Sequence, residues 1–428
     1  MIVNYSIKNT SLLLTLFVTS TFCGAFETPK DAIAAARKAM FAKKYSEAHQ
    51  ALNEGFKLSI NYLERFLVLS LHADLYRIQR QYSKAEELIQ KILDDKQITP
   101  NQKANSCLAL GRIKEAQKKL PQAILAYQKT LQYEKDGLQA FEAINKIGLL
   151  KFRLKKYSEA LTYYNQALKV EIKDKRRATA LKSGVYGNIS TLYTLTKQYD
   201  KAVKVLEDAA KLPEFSDKRI QRNFNSNIVK VYEFQLRELI ALRKFDQADK
   251  ILSNLKAKDK SSKVANLEVS FLIGKAALAK RTRKIGDAEK CLTTALAIKG
   301  ASSGVMLNVY GDLLSLYREN KKTSQVAQTL KAIDDLKLTN PEDIFSRGNI
   351  KYRHFVLAKQ YPQAVKCMEE TALIKVLRPA RVARCYENLA NFYLGQKDLA
   401  KAKIYYQKAI SVPKANFKSP YLKKKLGL

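Results

Sequence analysis

The stretch Lys155–Leu168, KKYSEALTYYNQAL, recurs in looser form as QYSKAEELIQKIL (81–93), KLPQAILAYQKTL (119–131), QYDKAVKVLEDAA (198–210) and DLAKAKIYYQKAI (398–410). Within it Tyr157, Ala160, Leu161, Tyr164, Ala167 and Leu168 fall at helical spacing and make one apolar stripe. Upstream, Ile144, Ile147, Gly148 and Phe152 make a second stripe, and Tyr186, Ile189, Ser190 and Tyr193 repeat it in the following unit. Each unit therefore reads as two amphipathic helices. Neither helix can bury its stripe alone, so the pairs must stack on one another.

Aligned on the Ala that lies three residues after an apolar or aromatic position, the pattern fits ten times. The aligned positions are Ala48, Ala85, Ala123, Ala160, Ala202, Ala248, Ala288, Val326, Ala364 and Ala402, spaced 37 to 46 residues apart. Proline tests this register independently, because it is tolerated in a helix's first turn and damaging inside. Pro121 and Pro362 both fall two residues before the aligned position, and Pro100, Pro341 and Pro379 share one place at the entry to a first helix. A chain of 428 residues with 46% hydrophobic content, 15 Gly and 9 Pro has the material for a large core and little for the turns of an all-β fold.

These residues resemble the tetratricopeptide repeats. That pattern has a small residue in the first helix (here Gly111, Gly148, Ser190 and Ala390), the Ala series in the second, an aromatic four residues later (Tyr127, Tyr164, Tyr406) and then another small residue (Ala167, Ala209, Ala295, Ala409). The resemblance implies an all-α, right-handed superhelical solenoid of about ten helix-turn-helix repeats over 26–413, with 414–428 as a basic cap or tail. Leu236, Leu314 and Tyr352 stand in the small slot of the sixth, eighth and ninth units and are expected to force their helices apart. The two longest units, containing KDKRRATALKSG and FSDKRIQRNFNSN, are expected to extend a helix or a loop.

Residues 1–25 read as an export signal: Lys8, then an apolar run from Leu12 to Phe22, then Cys-Gly-Ala with cleavage after Ala25. Retention of the run as an anchor is the alternative. Either way the expected location is exported, in the periplasm or cell envelope if the source is bacterial.

Catalytic chemistry finds no footing. His49, His72 and His354 fall in different units with no partner at ligand spacing. HExxH, GxGxxG, GxxxxGK[ST], GxSxG and CxxC patterns do not occur. The expectation is no enzyme, no metal, no cofactor and no small-molecule substrate. Cys367 and Cys385 lie nine residues either side of a predicted bend, which makes them a candidate disulfide, with buried free thiols as the plainer reading. The 23 Tyr sit mostly on the stripes, which speaks for packing and against base stacking.

The formal charge of +37 attracts anions of many kinds. Arginine is more informative, because its planar fork recognises carboxylate or phosphate. In the tetratricopeptide family the first helices line a groove. Carrying over the groove-facing slots selects Arg37, Arg77, Arg112, Arg153, Arg237, Arg281, Arg318, Arg353 and Arg384, nine of the 20 Arg, where random placement gives about 3. Asn188, Asn388 and Asn391 hold further slots, without the consecutive set of a chaperone-tail clamp. Acids including Asp74, Glu115, Glu233 and Glu387 share the groove, so an internal ladder of ion pairs and recognition of an anionic partner both stay open. The expected partner is a protein with an acidic or extended segment. The second reading is attachment to an anionic membrane surface or envelope polymer through diffuse basic charge, and nucleic acid is disfavoured by the exported location.

Overall fold

The computed structural model describes residues 26–428; the expected export signal lies outside the described residues. Among these every regular element is helical. The chain divides into two compact units, up to Phe224 and from Asn225 onward.

The first unit contains five helical hairpins: α1 (Pro29–Phe41) with α2 (Tyr45–Leu58), α3 (Tyr62–Ile78) with α4 (Tyr82–Asp94), α5 (Pro100–Ala116) with α6 (Leu120–Tyr133), α7 (Gly137–Arg153) with α8 (Tyr157–Lys169), and α9 (Lys175–Leu195) with α10 (Tyr199–Ala210). A 3-10 turn, Pro213–Phe215, leads into α11 (Lys218–Ala241), which runs on into the second unit. There α11 pairs with α12 (Phe245–Lys258), α13 (Ser262–Arg281) with α14 (Ile285–Leu296), and α15 (Ser303–Glu319) with α16 (Thr323–Asp335). Next come α17 (Pro341–Leu357) with α18 (Tyr361–Ala372), then α19 (Pro379–Gly395) with α20 (Leu399–Ser411), and the chain closes on α21 (Pro420–Lys425). The long units spend their extra residues on helix, 21 in α9 and 24 in α11 against 17 in α5.

The core passes from hairpin to hairpin. Phe141 and Ile144 of α7, Ala160 and Tyr164 of α8, and Val185 and Ile189 of α9 form one cluster, so α8 is sandwiched between two first helices, as are α2, α4, α6, α14 and α18. The nine aligned alanines are 0 or 1% exposed, because at these points the helices approach too closely for a longer side chain. Within each unit successive first helices also touch one another, α3 with α5 and α5 with α7 in the first, α13 with α15 and α15 with α17 in the second. The first helices thus share a common face within each unit.

Among the hairpins with a large residue in the small slot, α15 with α16 is packed over a shorter stretch than α17 with α18, in line with the expectation for Leu314. Gly111 lies against Tyr127 and Gly148 against Tyr164. Where the slot holds Leu236 its cluster partner is Leu252, and where it holds Leu314 the partner is Leu330. Leu stands at that second-helix position in other units too, as Leu52, Leu206 and Leu292, so no volume is removed there to offset Leu236 or Leu314. In the ninth unit Tyr352 packs with Met368, and the close approach moves one turn, to Gly348 against Thr371. The residues after Pro413 are amphipathic: Leu422 and Leu426 enter the last cluster beside Leu389, Tyr405 and Tyr406, while Lys423, Lys424 and Lys425 face solvent.

Candidate functional site

Every arginine and asparagine singled out from the sequence lies on a first helix: Arg37 on α1, Arg77 on α3, Arg112 on α5, Arg153 on α7, Asn188 on α9, Arg237 on α11, Arg281 on α13, Arg318 on α15, Arg353 on α17, and Arg384, Asn388 and Asn391 on α19. Their electrostatic surroundings differ between the units.

In the first unit they are largely occupied. Arg77 Nη2 lies 2.6 Å from Asp74 Oδ1 on its own helix. Arg112 on α5 grips Glu142 on α7 through Nε and Nη2. Glu115 is a hub: its carboxylate accepts from Arg153 Nη1 at 2.7 Å, from the Tyr127 hydroxyl at 3.2 Å and from Lys146 Nζ at 3.3 Å. Burial, reinforced by Glu115, pushes the Tyr127 hydroxyl far above its ordinary pKa, which keeps it a donor. Asn188 on α9 donates weakly to Asn145 on α7, at 3.5 Å. Here the ladder of ion pairs is the arrangement formed, and it ties neighbouring first helices together.

In the second unit a cleft of about 530 Å³ opens on the first-helix face between α13, α15 and α17. Arg318 and Arg353 line it with Asn308, Asp312, Ser315 and His354, over an apolar floor that includes Leu314 and Ile350. Arg318 reaches only its neighbour Glu319, at 3.7 Å. Lys280 and Ser315 converge on the same Glu319, at 2.8 Å each. The buried His354 has no hydrogen-bond partner for Nδ1. Burial, with Arg318 second, holds its pKa below the ordinary histidine value and keeps the ring neutral. Elsewhere in this unit Arg384 pairs with Glu387, Asn388 donates to Asn349 at 2.9 Å, and Arg237, Arg281 and Asn391 are exposed.

Cys367 and Cys385 follow the plainer of their two readings, and the expectation for the histidines needs correction. Cys367 and Cys385 form no disulfide: both are buried free thiols. Cys367 Sγ leans on the Gly348 carbonyl at 3.6 Å, and burial, with Cys367 beside it, pushes the Cys385 thiol up to about 12. The apolar core keeps both sulfurs protonated and unreactive. The histidines are also not all isolated. His49 Nδ1 lies 2.8 Å from His72 Nε2, His49 Nε2 lies 2.6 Å from Gln79 Oε1, and His72 stacks on Tyr76. The repeat register carried this pairing, since His49 follows Ala48 and His72 lies on the next first helix. Among the described residues no group of three or more His, Cys, Asp or Glu is placed to hold a metal ion.

The fold defines an array of stacked helical hairpins. Tetratricopeptide-repeat family models match residues 95–173, and again 183–215 and 383–416, which correspond to α5–α8, α9–α10 and α19–α20. Those segments are tetratricopeptide repeats. No curated protein matches the chain. Among solved structures, the C-terminal part of a tetratricopeptide repeat protein from Cytophaga hutchinsonii is 16% identical, over 64% of this chain and 98% of that one, with a TM-score of 0.43. The apo form of RapI is 13% identical over 90% and 97%, with a TM-score of 0.41. The apo form of the quorum sensor NprR from B. thuringiensis is 14% identical over 90% and 98%, with a TM-score of 0.34. These superpositions are loose, and nothing about function follows from them.

Proposed function

We propose that the chain is a non-catalytic scaffold of the cell envelope that holds an extended, acidic segment of a partner protein on the first-helix face of its second unit. The observation that carries this reading is the contrast between the two units. Arg77, Arg112 and Arg153 form ion pairs with acids of the chain itself, whereas Arg318 and Arg353 line an open cleft in which Asp312 is the lining acid and Arg353 has no ion pair among the described residues. A guanidinium fork left open beside apolar wall residues fits a carboxylate next to an apolar side chain. The apolar run Leu12–Phe22 supports the exported location. Peptide display against the full chain tests the reading. Selected sequences should be rich in Asp and Glu, and their binding should fall at least tenfold in Arg318→Glu/Arg353→Glu while surviving Arg112→Glu. A selection without acidic excess, or binding indifferent to the cleft pair, would refute it.

A further inference from the structure

The turn from each first helix to its second helix is built the same way ten times, and at each one the residue in the left-handed region is a cation. In the first unit these are Lys43, Arg80, Lys118, Lys155 and Lys197, and in the second Arg243, Arg283, Lys321, Lys359 and Lys397, with φ between 55° and 62°. The backbone closes a six-to-one bond at each, as from Lys156 N to Lys151 O at 2.9 Å. Glycine is favoured in this conformation and asparagine tolerated. The chain uses neither, although only 77 of its 428 residues are basic.

A cation at a helix C-terminus gains from the dipole, which would be a sufficient local reason if it stood alone. The next residue removes that explanation. It is the N-cap of the second helix, where the dipole repels cations and Ser, Thr, Asp or Asn are preferred. Six of the ten second helices nonetheless have Lys there, none with a side-chain cap bond: Lys44, Lys156 and Lys322 pair with Glu47, Glu159 and Glu289, whereas Lys119, Lys244 and Lys284 have no such ion pair among the described residues. At their opposite ends the first helices carry ordinary caps, Thr28, Asn61, Thr99, Asp174 and Asn340, each accepting from the helix backbone. Helices that alternate up and down bring every first-to-second turn within a unit to one edge. Asp136, Ser261, Ser302 and Arg378 cap four of the other first helices without a side-chain bond, so capping is mixed at the opposite edge, while the first-to-second edge repeatedly places positive charge at the N-cap.

The same edge exposes apolar side chains. Within two residues of the turn cations lie Phe41, 94% exposed, and Leu195, Leu242, Leu357 and Leu399, between 47% and 59% exposed. All ten turn cations are exposed as well. A soluble polyanion has no use for apolar side chains, whereas a bilayer surface takes apolar groups at the headgroup boundary and cations at its phosphates. We propose that this edge of each unit is a membrane-contact ridge for anionic phospholipid, formed by the turn cations, the N-cap lysines and the exposed Phe and Leu beside them. No helix among the described residues is long and apolar enough to cross a membrane, so this is contact with a surface. The ridge meets the cleft at Leu357, which lines both, but the ridge cations are not among the cleft's lining residues.

The turn geometry supplies variants that discharge the ridge without unfolding it. Replacing the five turn cations of the second unit with Gly relieves the left-handed conformation, and Lys119→Asp, Lys244→Asp and Lys284→Asp turn three poor N-caps into good ones. Melting temperature should hold or rise in both. Partitioning of the full chain onto phosphatidylglycerol–phosphatidylcholine vesicles, relative to phosphatidylcholine alone, cancels any contribution of the apolar N-terminal run. That ratio should fall about fivefold per cation removed, hence at least about a hundredfold for either variant, and should be unchanged in Arg318→Glu/Arg353→Glu. Equal ratios for wild type and both ridge variants would overturn the proposal. So would a wild type that binds soluble polyphosphate but shows no preference for anionic vesicles, which would make the ridge a polyelectrolyte site.

Discussion

Substituting Gly111 with Ala tests how closely the third hairpin is packed. A Cβ on Gly111 would lie 2.4 Å from Tyr127 Cε1, 2.5 Å from Cδ1 and 2.8 Å from Cζ, where ordinary contact begins at 3.4 Å. The ring must retreat by roughly 1 Å, yet it is fully buried and its hydroxyl is tethered to Glu115 at 3.2 Å. Overpacking of this kind costs about 1–3 kcal/mol, and replacing Gly by Ala inside a helix returns up to about 1 kcal/mol, leaving a net loss of about 0–3 kcal/mol. A double-mutant cycle sharpens the test. Tyr127→Leu alone opens space and should cost about 1–3 kcal/mol, by analogy with large-to-small core changes. Combined with Gly111→Leu it copies the Leu236–Leu252 pair of the sixth unit, so the double variant should be more stable than the sum of its singles by about 1–3 kcal/mol. Urea unfolding read by circular dichroism gives the totals. Hydrogen exchange in α5 and α6 localises the effect, because a repeat array can open hairpin by hairpin. Additivity within about 0.5 kcal/mol would show that the two positions do not share one space.

Two further outcomes follow from the buried titratable groups. Burial, with His49 second, lowers the His72 pKa to about 4, so the folded state refuses a proton that the unfolded chain accepts below about 6.5. Stability should be full above pH 6.5 and decline as pH falls toward 4, by up to about 3 kcal/mol, and His72→Gln should flatten that slope in urea titrations at successive pH values. A slope identical in the variant would mean that His72 is not the group responsible. Cys107, Cys367 and Cys385 are buried and Cys291 is partly exposed, so maleimide in native buffer should label Cys291 first and the others only on unfolding. Equal labelling rates, or a Cys367–Cys385 cross-linked peptide without reduction, would contradict the packing of α18 against α19.

The register was legible in the sequence because packing writes it in residue size. A tightly packed Ala recurs at nine of the ten aligned second-helix positions, with Val326 at the tenth, and no proline falls inside a helix beyond its first turn. What spacing alone missed depends on pairs of positions. How Leu236 and Leu314 are accommodated depends on their cluster neighbours, Leu252 and Leu330 among them, which the size of the slot residue alone does not give. The His49–His72 contact links one helix to the next across the repeat, which motif spacing within a unit does not sample. The groove arginines were placed on the right helices, but their partners were not predictable. Whether Arg112 finds Glu142 or faces solvent depends on the offset between neighbouring first helices, and small changes in packing alter that offset.

The turn cations show the opposite failure, a signal present in the sequence that helix periodicity does not weigh. Periodic analysis counts residues inside helices, and the KK of KKYSEALTYYNQAL precedes the helix it introduces. Its meaning appears only with backbone angles, when Lys155 is found at φ 60° and Lys156 at an N-cap with no cap bond. Each choice is a small local loss, on the order of 1 kcal/mol. If stability alone had shaped these turns, the chain would be expected to use Asp or Asn at this edge, as it uses Thr28, Asn61 and Asp174 at the other. Asp398 shows that the alternative is available, since it caps α20 by accepting from Lys401 N at 3.0 Å. Nine other turns forgo it, and that repeated departure from the most stable local choice is the reason to look for a function at this edge apart from the cleft.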